Sequence, residues 1–405
     1  MVFINRYFYP DQSATSRVLT AVATNLAQRG LSISVLTSNQ RYEDPAARLN
    51  ARELHNSVDI HRLATSRFGR QNLLGRAADY LAFIVGVNWW LLRKVRRGDV
   101  IVCKTDPPML SAFVWPTVLL RRGVLVNWLQ DLFPEVAVEL GVVGKKVAAV
   151  AGWMRNLGLK FARKNVVIGR LMADKIGDLN IAAGKQTLIE NGCDVAALSK
   201  HSGGSRTRRA WNISDESLLV MYAGNFGRAH PDEPVASVVE QLVDLSQVVF
   251  VFIGGGAGMD KLKKRCEQLP NCRFLPYQPE HLLAETLAAA DIHLVALHTN
   301  LEGLIVPSKF YPIAAVGRPV IYLGAPSSDL GHYLATHDCG HIAASTEALK
   351  EAVVKAAGDR PGLLNMGKNA SILAHRQFSV DHSCDRWESL LRDLGVHQSL
   401  RREPS

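Results

Sequence analysis

Lys309 and Ser308 sit side by side in the otherwise apolar run Leu301-Glu302-Gly303-Leu304-Ile305-Val306-Pro307-Ser308-Lys309-Phe310-Tyr311. An ammonium at that place can neutralise a phosphate, and a hydroxyl can donate to one. A helix beginning after Pro307 would add amide donors from its positive end. Glu302 has the acceptor oxygens that sugar hydroxyls need. The same residues also fit a plain helix start, with Ser308 as the N-cap and Glu302 solvated. Capping and ligand contact are compatible.

Two glycine-rich turns could bring backbone close to the same ligand. Tyr222-Ala223-Gly224-Asn225-Phe226-Gly227-Arg228 follows an apolar strand, and Gly224 and Asn225 mark its carboxyl end. Glycine there lets a ligand approach the chain. Arg228 could grip a diphosphate or stand as a surface arginine behind an ordinary turn. Ile253-Gly254-Gly255-Gly256-Ala257-Gly258 follows a second strand. Its Gly254 and Gly255 fit a phosphate or nucleotide loop, but the spacing does not match the dinucleotide fingerprint, which disfavours an oxidoreductase.

A second set of acids lies earlier. Gln130-Asp131-Leu132-Phe133-Pro134-Glu135 follows Val124–Trp128, and Tyr9-Pro10-Asp11 follows the first strand. Asp131 or Glu135 could take a proton from an acceptor hydroxyl. Asp131 could equally cap a helix. Tyr9 and Asp11 are expected to line the acceptor side.

These side chains need a frame of strands whose carboxyl ends converge. Strand-like runs fall at Val2–Asn5, Leu31–Thr37, Val58–Leu63, Val100–Cys103, Val124–Trp128, Val166–Ile168 and Thr187–Ile189. Helical patterns lie between them, including Ser13–Arg29, Leu73–Arg97 and Lys145–Lys164. After the polar stretch His201–Arg209, read as a linker or exposed loop, the alternation restarts at Leu218–Ala223, Val248–Ile253, Arg273–Leu275, Ile292–Leu297 and Pro319–Leu323. Alternation of this kind predicts an α/β protein of two doubly wound domains, with a ligand cleft between them.

Composition narrows the classes. The 405 residues exceed one compact core and suit two domains of about 200 residues each. A net charge of +10 favours an anionic partner. No nucleic-acid-binding signature accompanies it, so nucleic acid is not expected. The cysteines show no metal or disulfide spacing, which reads as free thiols in a reducing cytosol. The chain enters Val2-Phe3-Ile4 directly, so no secretory leader is expected. The apolar run Tyr80–Leu92 is interrupted by Gly86 and Asn88 and falls short of the roughly 20 residues a spanning helix needs.

Taken in order, Tyr9-Pro10, Gln130–Glu135, Glu190-Asn191-Gly192-Cys193-Asp194, Gly224–Arg228 and Glu302-Gly303 with Pro307-Ser308-Lys309 and Gly317-Arg318-Pro319 resemble the retaining GT-B glycosyltransferases of family 4. The bacterial enzymes of capsule, O-antigen and exopolysaccharide synthesis are the nearest in kind. The resemblance implies two Rossmann-like domains facing a cleft. Residues 1–188, with a returning C-terminal helix over about 376–395, would bind the acceptor, and 189–375 the nucleotide-sugar. It implies Gly224, Asn225, Arg228, Gly254, Gly255, Glu302, Pro307, Ser308 and Lys309 as donor contacts. Many family members carry a second glutamate where this chain has Pro312, so ribose must be held differently here.

The implied reaction is retaining transfer of a hexosyl group from a nucleotide-sugar, UDP in preference to GDP, to a lipid-linked or saccharide acceptor. Asp131 and Glu302 are the catalytic candidates. No cofactor is implied, and no Asp-x-Asp pair is present to hold a metal. The basic and apolar residues of Lys145–Lys164, and Arg93, Lys94, Arg96 and Arg97 behind Trp89-Trp90, suit either an anionic membrane surface or ordinary core and solvated faces. The expected location is cytoplasmic, peripheral at the inner face of the plasma membrane. A nucleotide-sugar epimerase using His230 and His298, and a non-catalytic anion-binding subunit, are the rival readings.

Overall fold

The computed structural model describes residues 1–11, 13–41, 48–66, 68, 73–200 and 203–395. The chain divides into two units, Met1–Glu190 with the segment from Val380 onward, and Asn191–Ser379.

The first unit is built on strands β1 (Val2–Ile4), β2 (Ile33–Ser38), β3 (Arg52–His55), β4 (Val58–Leu63), β5 (Val100–Lys104), β6 (Val124–Trp128), β7 (Lys164–Val167) and β8 (Gln186–Leu188). They form one sheet in the order β3-β4-β2-β1-β5-β6-β7-β8. All neighbours run parallel except the edge pair β3–β4. Strands β1 and β5 are buried throughout, and apolar but for Lys104 at the end of β5, as expected of a sheet covered on both faces. β3 alternates exposed and half-buried residues. It carries no apolar signal and is held by pairing with β4, which is why the sequence gives no sign of it.

On one face, Val87 and Leu91 of the helix Leu73–Lys94 and Val114 and Val118 of the helix Leu110–Leu120 join Ile4, Ile101 and Leu125 in one core. Elsewhere in the unit, the final helix Val380–Asp393 meets the helix Ala14–Gln28. Trp387 lies 5.0 Å from Trp128 and 5.8 Å from Phe3 between ring centroids, all fully buried. Truncating a tryptophan in such a place costs about 3–5 kcal/mol. Arg29 adds ion pairs to Asp381, Asp385 and Glu388.

The second unit holds strands β9 (Leu218–Asn225), β10 (Val248–Gly255), β11 (Cys272–Leu275), β12 (Ile292–Ala296), β13 (Val320–Leu323) and β14 (Gly340–Ala343). The order β11-β10-β9-β12-β13-β14 is parallel throughout, a doubly wound sheet. The stretch read as a linker is partly structural. His201 and Ser202 lie outside the described residues, but Ser205–Ala210 is a helix whose Arg208 is buried. Arg208 Nη1 meets Asp291 Oδ2 at 3.0 Å, and Arg360 reaches the other oxygen at 2.9 Å. Arg208 is polar because it joins an ion cluster, while Gly203, Ser205, Arg206 and Arg209 are exposed as the loop reading expects. Among the described residues no helix is long and apolar enough to cross a membrane.

Candidate active site

In the second sheet the chain order reverses between β9 and β12, the place where a doubly wound sheet opens for a ligand. β9 and β10 run in register to their ends, Gly224 opposite Gly254 and Asn225 opposite Gly255. Gly224 and Gly254 have φ near +120°, open to glycine and strained for other residues. A Cβ on Gly254 would stand 2.4 Å from the Gly224 carbonyl oxygen, and one on Gly224 would stand 2.9 Å from Lys309 Cε. The two turns are therefore packed backbone to backbone, with the lysine stem against Gly224.

Lys309 Nζ donates to the Asn225 carbonyl at 3.1 Å and lies 5.1 Å from the centre of the Tyr222 ring. The Tyr222 hydroxyl donates to the same carbonyl at 2.9 Å. An ammonium has three donors, so the Asn225 bond leaves capacity for an anion. Burial lowers the Lys309 pKa to about 8. Arg228 is exposed three residues past Asn225.

Glu302 follows β12. Its Oε1 accepts from the Ala325 amide at 2.6 Å and from the Tyr322 hydroxyl at 3.1 Å. Partial burial raises the carboxyl above its ordinary value. Glu302 is thereby tied to the exit of β13 rather than simply solvated. The helix Phe310–Ala315 starts after Lys309 and has no side-chain cap, so Ser308 is not the N-cap that its type suggested. Pro307 and Ser308 are half-buried on the segment leading to Lys309.

His230 Nδ1 lies 2.6 Å from the Ala296 carbonyl, and burial, then the Lys309 charge, lowers its pKa to about 4. A neutral ring must donate from Nδ1 to that carbonyl. It ties the turn after β9 to the end of β12, and the His298 amide bonded to the Ala229 carbonyl at 3.0 Å does the same. Tyr277, beyond β11, escaped the sequence reading. Its ring lies against Gly254 and Gly255, 3.1 Å from where a Cβ of Gly254 would be. A single aromatic after a short strand carries no signal of its own.

In the first unit the corresponding reversal lies between β1 and β5. Lys104, at the end of β5, is buried, donates to the Thr15 carbonyl at 2.9 Å and sits 4.2 Å from the Trp128 ring centre. Burial lowers its pKa to about 7. Lys104 and Asp131 line one cavity with Thr105 and Arg155. Asp131 Oδ1 is buried and has no hydrogen-bond partner. Burial lifts the Asp131 carboxyl to about 6; Asp106 adds to this, while the Thr105 hydrogen bond and Lys104 oppose it. The next helix is Glu135–Glu139, whose N-cap is Pro134, so Asp131 does not cap it.

Glu135 is committed to Arg155, with contacts of 2.6 and 3.2 Å. Arg155 thus belongs to the interior and not to a basic outer face. Asp11 is buried, and its Oδ1 accepts from the Ser13 amide at 2.9 Å, bracing the start of the helix Ala14–Gln28. The Tyr9 ring stacks on His55 at 3.7 Å between centroids. The structure therefore brings together Gly224, Asn225, Gly254, Gly255 and Lys309. It leaves Asp131 with an unsatisfied oxygen and gives Glu135 and Asp11 partners of their own. All six cysteines are free. Among the described residues no group of three or more His, Cys, Asp or Glu could hold a metal ion.

Residues 13–192 match the family described as Glycosyl transferase 4-like domain. A protein of Pseudomonas aeruginosa bearing the name probable glycosyltransferase WbjE is 32% identical over 282 residues, 65% of this chain and 67% of the relative. WcaI of Escherichia coli (strain K12), named for colanic acid biosynthesis, is 28% identical over 62% of this chain and 63% of its own length. HepE of Anabaena, whose structure is described in complex with UDP-glucose, superposes with a TM-score of 0.69 over 97% of this chain and 99% of its own at 15% identity, a likeness of fold. The class is a two-domain α/β glycosyltransferase of GT-B type. The chain belongs to glycosyltransferase family 4 and is a transferase enzyme.

Proposed function

We propose that the enzyme moves a hexosyl group from a nucleotide-sugar, UDP-linked in preference to GDP-linked, to a lipid-linked or saccharide acceptor in bacterial cell-surface polysaccharide synthesis. The observation that carries this reading is the half-buried ammonium of Lys309 held at the glycine turn Gly224-Asn225, which pairs with the turn at Gly254 where the sheet order reverses. A fixed cation beside close-packed backbone suits a diphosphate better than any neutral ligand. The names of WcaI and of the UDP-glucose complex of HepE support the polysaccharide context and the donor.

In this reading the second unit holds the donor and the first holds the acceptor. Lys309, Arg228 and Ser308 take the charge that builds on the leaving diphosphate, without a metal, and Pro307 sets the approach of that segment. Glu302 contacts sugar hydroxyls through its remaining oxygen. Gly224, Asn225, Gly254 and Gly255 admit the phosphates, with the Tyr277 ring as a flat surface for the base. The C1–O bond to the diphosphate breaks as the acceptor oxygen bonds to C1 from the same face, which retains the configuration. Asp131 receives the acceptor's proton. Tyr9, Asp11 and Glu135 shape the acceptor side, the last two through Ser13 and Arg155. The protein works in the cytoplasm against the inner face of the plasma membrane.

The test incubates the full chain with UDP- and GDP-sugars and a lipid-phosphate acceptor, with products identified by mass spectrometry. A glycosylated acceptor with the donor's anomeric configuration is expected. An epimerised donor with no transfer would replace this reading with the isomerase.

A further inference from the structure

The helices Leu73–Lys94, Leu110–Leu120 and Lys145–Phe161 form one layer of the first unit. Thr117 donates to Asn88 across the first pair at 2.5 Å, and Trp115 stacks on Phe161 across the second at 4.0 Å between centroids. The inward residues of the first two are already used in the core against the sheet, and Ala148 and Leu159 of the third are buried. Yet their outward residues are also apolar. Leu81, Val85 and Trp89 stand exposed in a row on the first helix, and Val147, Val150 and Trp153 do so on the third. Leu120, between them in sequence, is 72% exposed, and Trp153 is 64% exposed. Helices with apolar residues on both sides have a second apolar environment to meet.

The charges select that environment. Arg93 and Lys94 close the first helix, Arg121 and Arg122 follow the second, and Lys145 and Lys146 open the third, all exposed. The Arg93 guanidinium lies 3.7 Å from the Trp89 ring centre, a cation resting on an exposed aromatic. The sequences of the three helices contain one acid, Asp79, which is buried against Arg6 at 3.4 Å. A second protein surface would be expected to meet some exposed acid here. A bilayer rich in anionic headgroups asks only for apolar and basic groups.

We infer that this three-helix face is a docking surface for an anionic membrane, with Trp89, Leu120, Val150 and Trp153 entering the headgroup boundary and the flanking lysines and arginines contacting lipid phosphates. The sequence allowed Lys145–Lys164 and the Trp89-Trp90 region as separate candidates. The structure joins them through the helix Leu110–Leu120 and removes Arg155 from the surface. The inference deepens the proposed lipid-linked acceptor and rests on that reading for its purpose, though its geometry stands apart from it.

The test floats the full chain with vesicles of phosphatidylglycerol and phosphatidylcholine, and with phosphatidylcholine alone. Flotation is expected only with the anionic vesicles and is weakened by salt. Lys145→Glu with Lys146→Glu, and Val150→Ser with Trp153→Ser, should each lower partitioning about tenfold or more without moving Tm. Val354→Ser, at an exposed position of the second unit, should float like the parent chain. No flotation with anionic vesicles, or flotation indifferent to the four substitutions on the helix face, overturns the assignment. So does dimerisation in sedimentation that Trp153→Ser abolishes, which would give the face to a second copy. Transfer to a soluble saccharide acceptor, measured alongside, should be unchanged in these variants, so loss of docking and loss of the transferase reading are told apart.

Discussion

Lys309 and Asn225, 84 residues apart in sequence, are joined by a hydrogen bond of 3.1 Å from the ammonium to the backbone carbonyl. The bond fixes a cation over the strand end where the second sheet reverses its order. It also explains why a glycine is needed at 224, since a Cβ there would press on the lysine stem.

Lys309→Met should lower kcat/KM for the donor by about 10²–10³-fold, the range seen when one fixed transition-state donor is removed. Burial sets the Lys309 pKa at about 8, so its charge is present below that pH and lost above it. The kcat/KM profile should therefore fall as pH rises through about 8. The residual activity of Lys309→Met should lack this limb.

Glu302→Ala should lose donor turnover by about 10²-fold, a size typical of one lost transition-state contact. Tyr322→Phe, which removes one of the two bonds that orient the carboxylate, should cost much less. A Glu302→Ala enzyme with full donor turnover would remove Glu302 from the site.

Asp131→Asn should reduce transfer by about 10²–10⁴-fold if the carboxylate takes the acceptor proton. Activity of the parent enzyme should fall as pH drops through about 6, and Asp131→Asn should abolish that limb. Stability carries the opposite sign. A carboxyl raised on folding contributes stability below its unfolded pKa and loses it as pH rises through about 6. At neutral pH the asparagine enzyme should be more stable by on the order of 2 kcal/mol, read by denaturant melts.

Glu135→Gln tests whether Glu135 acts on the acceptor or only holds Arg155. The Arg155 side chain is 6% exposed and the Glu135 side chain 37%. Solvent at the glutamate reduces the cost of breaking the pair to about 1–2 kcal/mol. The expected result is a lower Tm with a nearly unchanged KM for the acceptor. A large rise in KM would restore the direct contact.

Gly254→Ala would place a Cβ 2.4 Å from a backbone oxygen at a φ of +121°. The strain should cost about 1–3 kcal/mol and weaken UDP binding by calorimetry, because β9 and β10 must separate to admit the methyl group.

The parts of the fold that follow local rules were legible in the sequence. Val58–Leu63 and Val124–Trp128 were read as strands with the bounds the structure gives them. The glycines of both turns were read as strand ends, where they lie. What the sequence hid depends on distant partners. β3 has no apolar alternation and exists only through β4. Arg208 looks like part of a polar loop until Asp291, 83 residues later, is packed against it. Lys104 falls just past the strand expected at Val100–Cys103, and nothing near it in sequence announces that it shares a cavity with Asp131. Ser308 has the residue type of a cap, but the helix begins later and takes no side-chain cap.

The last helix has a bearing on how the chain is made. Phe3 and Trp128 are synthesised before the ring that covers them, Trp387, with the whole of the second unit in between. The first unit must therefore wait, with aromatic surface uncovered, while the whole of the second is produced. A nonsense mutation or a nick ahead of Val380 would expose that surface even in a molecule whose nucleotide-sugar unit is whole. Quality control in the cell would then have a hydrophobic flag on incomplete chains, placed on a unit other than the one being completed.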